Sequence, residues 1–156
     1  MHTWFECKIR YEKTMENGMN KKVTEPYLVD ALSFTEAEAR IIEEMTPFIS
    51  GEFTVSDIKR ANYSELFFAD DNNNADRWFK CKLTFITLDE KSGAEKKTST
   101  NVLVQASDLR DAVKKLDEGM KGSMADYIIS SMAETAIMDV YKYNAEPDIK
   151  PEFPQA

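Results

Sequence analysis

The sequence predicts an α+β fold: an internally duplicated ββαβ unit, with two helices packed on one face of a mainly antiparallel sheet. Three observations predict it. Trp4-Phe5-Glu6-Cys7-Lys8-Ile9 returns as Trp78-Phe79-Lys80-Cys81-Lys82-Leu83. Downstream matches keep the same order: Lys21-Lys22 with Lys96-Lys97, Tyr27-Leu28-Val29 with Val102-Leu103-Val104, and Ala31 with Ala106. The helical residues Ala37, Ile41 and Met45 likewise match Ala112, Leu116 and Met120. The period is about half the chain, too long for a solenoid repeat. This gives one pseudo-twofold domain over residues 1–143, with repeats at 1–69 and 77–143, a linker at 70–76 and a mobile tail at 144–156.

The first strand starts at Trp4. Phe5, Cys7, Ile9 and Tyr11 point one way, and Trp4, Glu6, Lys8 and Arg10 the other, the period-2 pattern of a half-buried strand. Asn17-Gly18 supplies the positive φ of a hairpin turn. Lys22 to Ala31 returns as the second strand, with Pro26 confined to an edge or bulge because it lacks an N–H. Ser33-Phe34-Thr35-Glu36 is a capping box opening a helix, and Phe34, Ala37, Ile41 and Met45 form its apolar stripe. Pro47 and Gly51 end that helix, and Glu52 to Ala69 reads as one long third strand with a bulge or bend where its alternation slips.

The second repeat follows the same plan. Ser92-Gly93 makes the turn, Thr98 to Ala106 the returning strand, and Asp108 the helix cap ahead of the stripe Leu109, Ala112, Leu116 and Met120. Propensity favours helix for Tyr127 to Tyr143, but the match of Tyr63–Phe67 with Ile137–Tyr141 favours strand, and strand is the expectation. Helices on one face would leave the other face of a sheet of about six strands at least partly open. Pro147, Pro151 and Pro154 keep the tail out of any sheet interior.

Composition narrows the function. A chain of 156 residues with 42% hydrophobic content can bury a core, and no apolar run has the length of a membrane span. Met1-His2-Thr3-Trp4 does not read as a signal peptide, so a cytoplasmic protein is expected. A net charge of -8 disfavours non-specific nucleic-acid binding. Cys7 and Cys81 hold matching places and read as buried small hydrophobes; with His2 as the lone histidine, neither metal nor cofactor is expected. The acidic, asparagine-rich linker lacks the glutamate and glycine of a calcium loop.

No catalytic residue is predicted, because no nucleophile or acid–base pair has the partners catalysis needs. The repeated feature outside the presumed core is Trp4 with Lys8 and Trp78 with Lys82. Spacing of four puts each pair on one strand face, about 13 Å apart. On an open face, Trp could stack on a base and Lys neutralise a phosphate, as in a binder of nucleotides or single-stranded nucleic acid. The competing reading seats each Trp at a sheet edge or subunit contact. Eight methionines and seventeen aromatics suit a protein partner or a homo-oligomer, the expected ligand, and equally suit an ordinary core.

Trp4-Phe5-Glu6-Cys7-Lys8 and the run Lys22-Val23-Thr24-Glu25 through Glu38 resemble a domain-of-unknown-function family (family 4494 of that series) of Bacteroidetes and their phages. The resemblance covers most of the chain and brings no known activity. It implies a small accessory binder of phage or mobile-element type rather than a metabolic enzyme. Lys80 replaces Glu6 and Thr100 replaces Glu25 in the second repeat, so any role of those acids belongs to one half.

Overall fold

A computed structural model describes residues 3–69, 75–123 and 126–142. The fold is α+β, with two helices and two four-stranded sheets, each mainly antiparallel with one parallel pair. The chain divides into two compact units, one from the residues up to Ala61 joined by those from Ile137, the other Asn62–Ala136.

In the first unit, β1 (Trp4–Thr14) and β2 (Asn20–Asp30) form the expected hairpin, with Gly18 at φ 83° in the turn. The helix α1 (Phe34–Met45) starts at Ser33, whose hydroxyl accepts from the Glu36 N–H at 3.1 Å. Glu36 reaches back to the Leu32 N–H at 2.5 Å, one residue earlier than in a standard capping box. Ala37, Ile41 and Met45 pack on Phe5, Cys7, Ile9 and Val29, the face that the alternation of β1 assigns to the core. β3 (Phe53–Ala61) pairs with the other side of β1, and Ser56 is the bulge residue between Lys8 and Ile9.

The second unit repeats these devices. β5 (Arg77–Leu88) and β6 (Glu95–Ala106) form a hairpin with Gly93 at φ 71°. Asp108 caps α2 (Leu109–Gly119) by accepting from the Asp111 N–H at 2.8 Å. Ala112 and Leu116 pack on Phe79, Cys81 and Leu83. β7 (Tyr127–Glu134) pairs with β5, its register slipping between Lys82 and Leu83, the place that matches the bulge in the first unit.

Three expectations change. The sheet is not one of about six strands but two of four. Glu52 to Ala69 is not one strand: β3 ends at Ala61, and β4 (Glu65–Phe67) pairs in parallel with β6 of the second unit. The bulge expected where the alternation slips is there, at Ser56, but the strand ends at Ala61 and does not run on to Ala69. The strand expected from Tyr127 to Tyr143 is found in two pieces: β7 ends at Glu134, and β8 (Asp139–Tyr141) pairs in parallel with β2 of the first unit. Each sheet is thus completed by a short strand that follows the third strand of the other. Pro26 sits where β8 pairing begins, so its missing N–H costs no ladder bond, and its carbonyl accepts from the Met138 N–H at 2.9 Å. Arg40 of α1 holds the end of β8 by donating to the Lys142 carbonyl at 2.9 Å and also donates to the Asp30 carbonyl. Residues 70–74 of the expected linker at 70–76, and the whole of the expected tail at 144–156, lie outside the described residues.

Leu28 and Leu103 are fully buried, yet their cross-strand partners Glu6 and Lys80 place them on the faces away from the helices. At these positions the helix-free faces are not open to solvent.

One contact limits the second unit sharply. A Cβ on Gly119 would stand 2.7 Å from two ring carbons of Phe67. Gly119→Ala is therefore expected to cost about 1–3 kcal/mol in a thermal or urea melt. Adding Phe67→Leu should recover part of that loss, a non-additivity that a double-mutant cycle measures.

Candidate functional site

The four residues proposed as an aromatic–cationic face do not form one. Trp4 is 6% exposed and Trp78 is 2% exposed, with Phe68 edge-on to the Trp78 indole at 5.3 Å. Lys82 is exposed and Lys8 half-buried. The lysines meet solvent where the indoles do not, so no ring face is open to stack on a base. Alternation along β1 and β5 separates two faces correctly, but it carries no information on what each face meets.

The polar centre of the first unit is Glu25, which pairs with Ile9 across the hairpin and so lies on the helix side of the sheet. Its Oε1 accepts from the Tyr11 hydroxyl at 3.0 Å and the Tyr27 hydroxyl at 3.2 Å, while Lys13 stands 3.7 Å from Oε2. Tyr27 also stacks on Tyr141, centroids 6.2 Å apart. Burial first, then the Glu25 carboxylate, raises the Tyr27 phenol above its ordinary pKa, and Tyr11 moves the same way. Both phenols stay protonated near neutral pH. A carboxylate that accepts two hydroxyls fixes three side chains across the hairpin. The matching positions of the second unit are Phe85, Thr100 and Val102, so carboxylate and hydroxyls are replaced together by a mainly apolar set. This answers what Glu25 does in one half only.

Cys7 and Cys81 are fully buried free thiols. Burial, then the Glu6 and Glu38 charges, pushes Cys7 up to about 12, and burial pushes Cys81 up to about 11. Neither thiol is a nucleophile in the folded chain. Among the described residues, no three His, Cys, Asp or Glu side chains converge as metal ligands, and no helix is long and apolar enough to cross a membrane. A concavity near the hairpin of the first unit is open and lined by charges of both signs, Arg10, Glu12, Lys22 and Glu52 among them.

A set of exposed apolar residues on and beside α1 is the feature that sequence reasoning missed. Leu32 is 81% exposed, Phe34 48%, Ile42 41% and Phe48 75%, strung from just before the helix to just beyond it. Phe34 leans on Phe5 at 4.9 Å, with the Arg60 guanidinium 6.0 Å from its ring, which fixes its orientation while half of it stays in water. The helix ends are fixed by the Ser33 cap and by Thr46, which donates to the Ile42 carbonyl at 2.6 Å. Where α1 has Leu32, Ile42 and Phe48, the matching places around α2 hold Ser107, Asp117 and Ser123. Solvent dictates the second set; it does not dictate the first. Comparing the two copies outside their shared stripe is the signal that would have found these residues.

No curated protein matches the chain at a significant level. Residues 3–143 match the family model described as a domain of unknown function (DUF4494), and the chain belongs to that family.

Proposed function

We propose that the chain is a non-enzymatic protein-binding domain that presents the exposed apolar residues on and beside α1 to a partner protein. The observation that carries this is the exposed set Leu32, Phe34, Ile42 and Phe48 against the polar residues at three of the four matching places of α2. Large apolar side chains grouped on one element and held by well-capped helix ends are what a protein partner covers. An internal duplication is part of the same reading. Shared caps, turns and bulge positions support two copies of one ββαβ unit, of which one gained the exposed apolar residues. A cytoplasmic location is consistent with the free cysteines. An accessory role in phage or mobile elements fits a small domain of this kind.

The test is native mass spectrometry of the protein purified gently from its host, alongside Leu32→Ser and Phe48→Ser. Those changes copy the serines that already serve at the matching places, Ser107 and Ser123. A second polypeptide carried by the native protein and lost from the double variant, with an unchanged thermal midpoint, is the expected result. A partner retained by the folded double variant, or a small molecule in place of a protein, would overturn the reading.

A further inference from the structure

The two sheets treat their long edge strands differently. β3 lies at one edge of the first sheet and β7 at one edge of the second, each antiparallel to the central strand of its hairpin. Register matches them residue for residue. Asp57 opposite Lys8 corresponds to Ser131 opposite Lys82, and Lys59 opposite Glu6 to Ala133 opposite Lys80. Arg60 opposite Phe5 corresponds to Glu134 opposite Phe79. Charges on an edge strand, lysine above all, deter pairing with another chain. β3 carries Asp57, Lys59 and Arg60, whereas in β7 the one charged residue is Glu134, at its end. β7 also exposes Ile128 at 52%, and no described strand pairs with its outer side.

We infer that the outer edge of β7 pairs antiparallel with β7 of a second copy of this chain. The self-matching of the strand decides the occupant. A two-fold pairing centred between Ser130 and Ser131 sets Ser130 against Ser131, Ile129 against Met132, Ile128 against Ala133 and Tyr127 against Glu134. Tyr127, Ile129 and Met132 all contact the helix-side core, and Glu134 is paired with Phe79 on that side, so residues set against each other lie on the same face of the extended sheet. The two Glu134 carboxylates fall at opposite ends of the contact. The same operation on β3 would centre between Ser56 and Asp57 and set Asp57 against Ser56, Lys59 against Thr54 and Arg60 against Phe53, placing charged side chains along the contact where the β7 pairing has only Glu134 at each end. A contact of eight residues a side falls below the ~1,200 Å² of stable interfaces, so the dimer is weak and concentration-dependent. It uses none of the exposed apolar residues on and beside α1, and either proposal can fail alone.

Sedimentation velocity of the full chain over a concentration series tests it, with a Ser131→Asp/Ala133→Glu double variant. Each added carboxylate faces a lysine of its own sheet, Lys82 or Lys80, so the fold is preserved while the edge becomes charged. The wild type is expected to move from monomer to dimer as concentration rises, and the variant to associate at least about tenfold more weakly with an unchanged thermal midpoint. Hydrogen exchange on the wild type gives the second readout, with protection gained in Tyr127–Glu134 at high concentration. A wild type monomeric throughout, a folded variant that dimerises equally, or protection gained elsewhere would each overturn the proposal. If the variant does not fold, exchange on the wild type decides.

Discussion

Ile41→Ala is expected to remove about 2–5 kcal/mol of stability, while Ile42→Ala, one residue on, changes it by no more than ~0.5 kcal/mol. Ile41 is fully buried among Phe5, Cys7, Ile9, Val29, Ala37 and Met45. Truncating it loses the transfer free energy of its methyl and methylene groups and leaves a cavity between helix and sheet. Alanine is the better helix former, so propensity offsets a few tenths of a kcal/mol at most. Ile42 is 41% exposed and has little to lose on truncation. Urea titrations of both variants check the contrast. Partner capture should invert it: Ile42→Ala weakens binding in a chain that still melts normally, and Ile41→Ala affects binding only through the folded fraction. Equal stability losses at the two positions would contradict the assignment of the apolar stripe.

Stability is expected to fall steeply as pH rises from about 9 towards 12, well beyond what net charge alone brings. The groups are Cys7, raised from 9.0 to about 12, Cys81, raised from 9.0 to about 11, and Tyr141, raised from 10.0 to about 12. Burial is the main cause for each, with Asp139 and Glu44 adding repulsion at Tyr141; Tyr11, Tyr27 and Tyr127 shift in the same direction. All are acids whose neutral form the fold favours. The unfolded chain therefore loses its protons first, at its ordinary pKa, and from there upward ionisation pulls the equilibrium towards unfolding. Below the unfolded values both states are protonated and the full stability is present; it is lost as pH climbs through the interval to the folded values. Thermal midpoints across this range check the slope, and Cys7→Ala should flatten its lower part. A midpoint constant to pH 11 would show that these groups ionise as freely folded as unfolded. Near neutral pH the same burial is expected to let both thiols react with Ellman's reagent only when the fold opens.

What the sequence made legible was local. Asn17-Gly18 and Ser92-Gly93 dictated two hairpins, Ser33 and Asp108 two helix starts, and the stripes through Ile41 and Leu116 the faces those helices bury. These depend on residues a few positions apart. The exchange of β4 and β8 depends on pairing with strands distant in the chain, and three-residue segments such as Glu65–Phe67 are too short to show a period. Burial of Trp4 and Trp78 failed to show for a related reason: periodicity assigns a face and is silent on its surroundings. Glu25 was noted as a difference between the halves, but its two tyrosines are recognisable as its partners only once the register sets Tyr11 and Tyr27 beside it.

The route of the chain through its two sheets also sets an order of events during synthesis. β1, β2, α1 and β3 leave the ribosome together, but β8, which closes the first sheet on Tyr27–Val29, follows only after all of Asn62–Ala136 has been made. At ~5–20 residues per second the outer side of β2 waits for seconds. During that wait the nascent first unit has Leu28 and Val29 in an unfinished strand, while the second unit, continuous in sequence, has every strand it needs once Glu134 emerges. The second unit to be translated is thus the first that can finish its sheet, and the earlier one stays a strand short until Asp139–Tyr141 arrives.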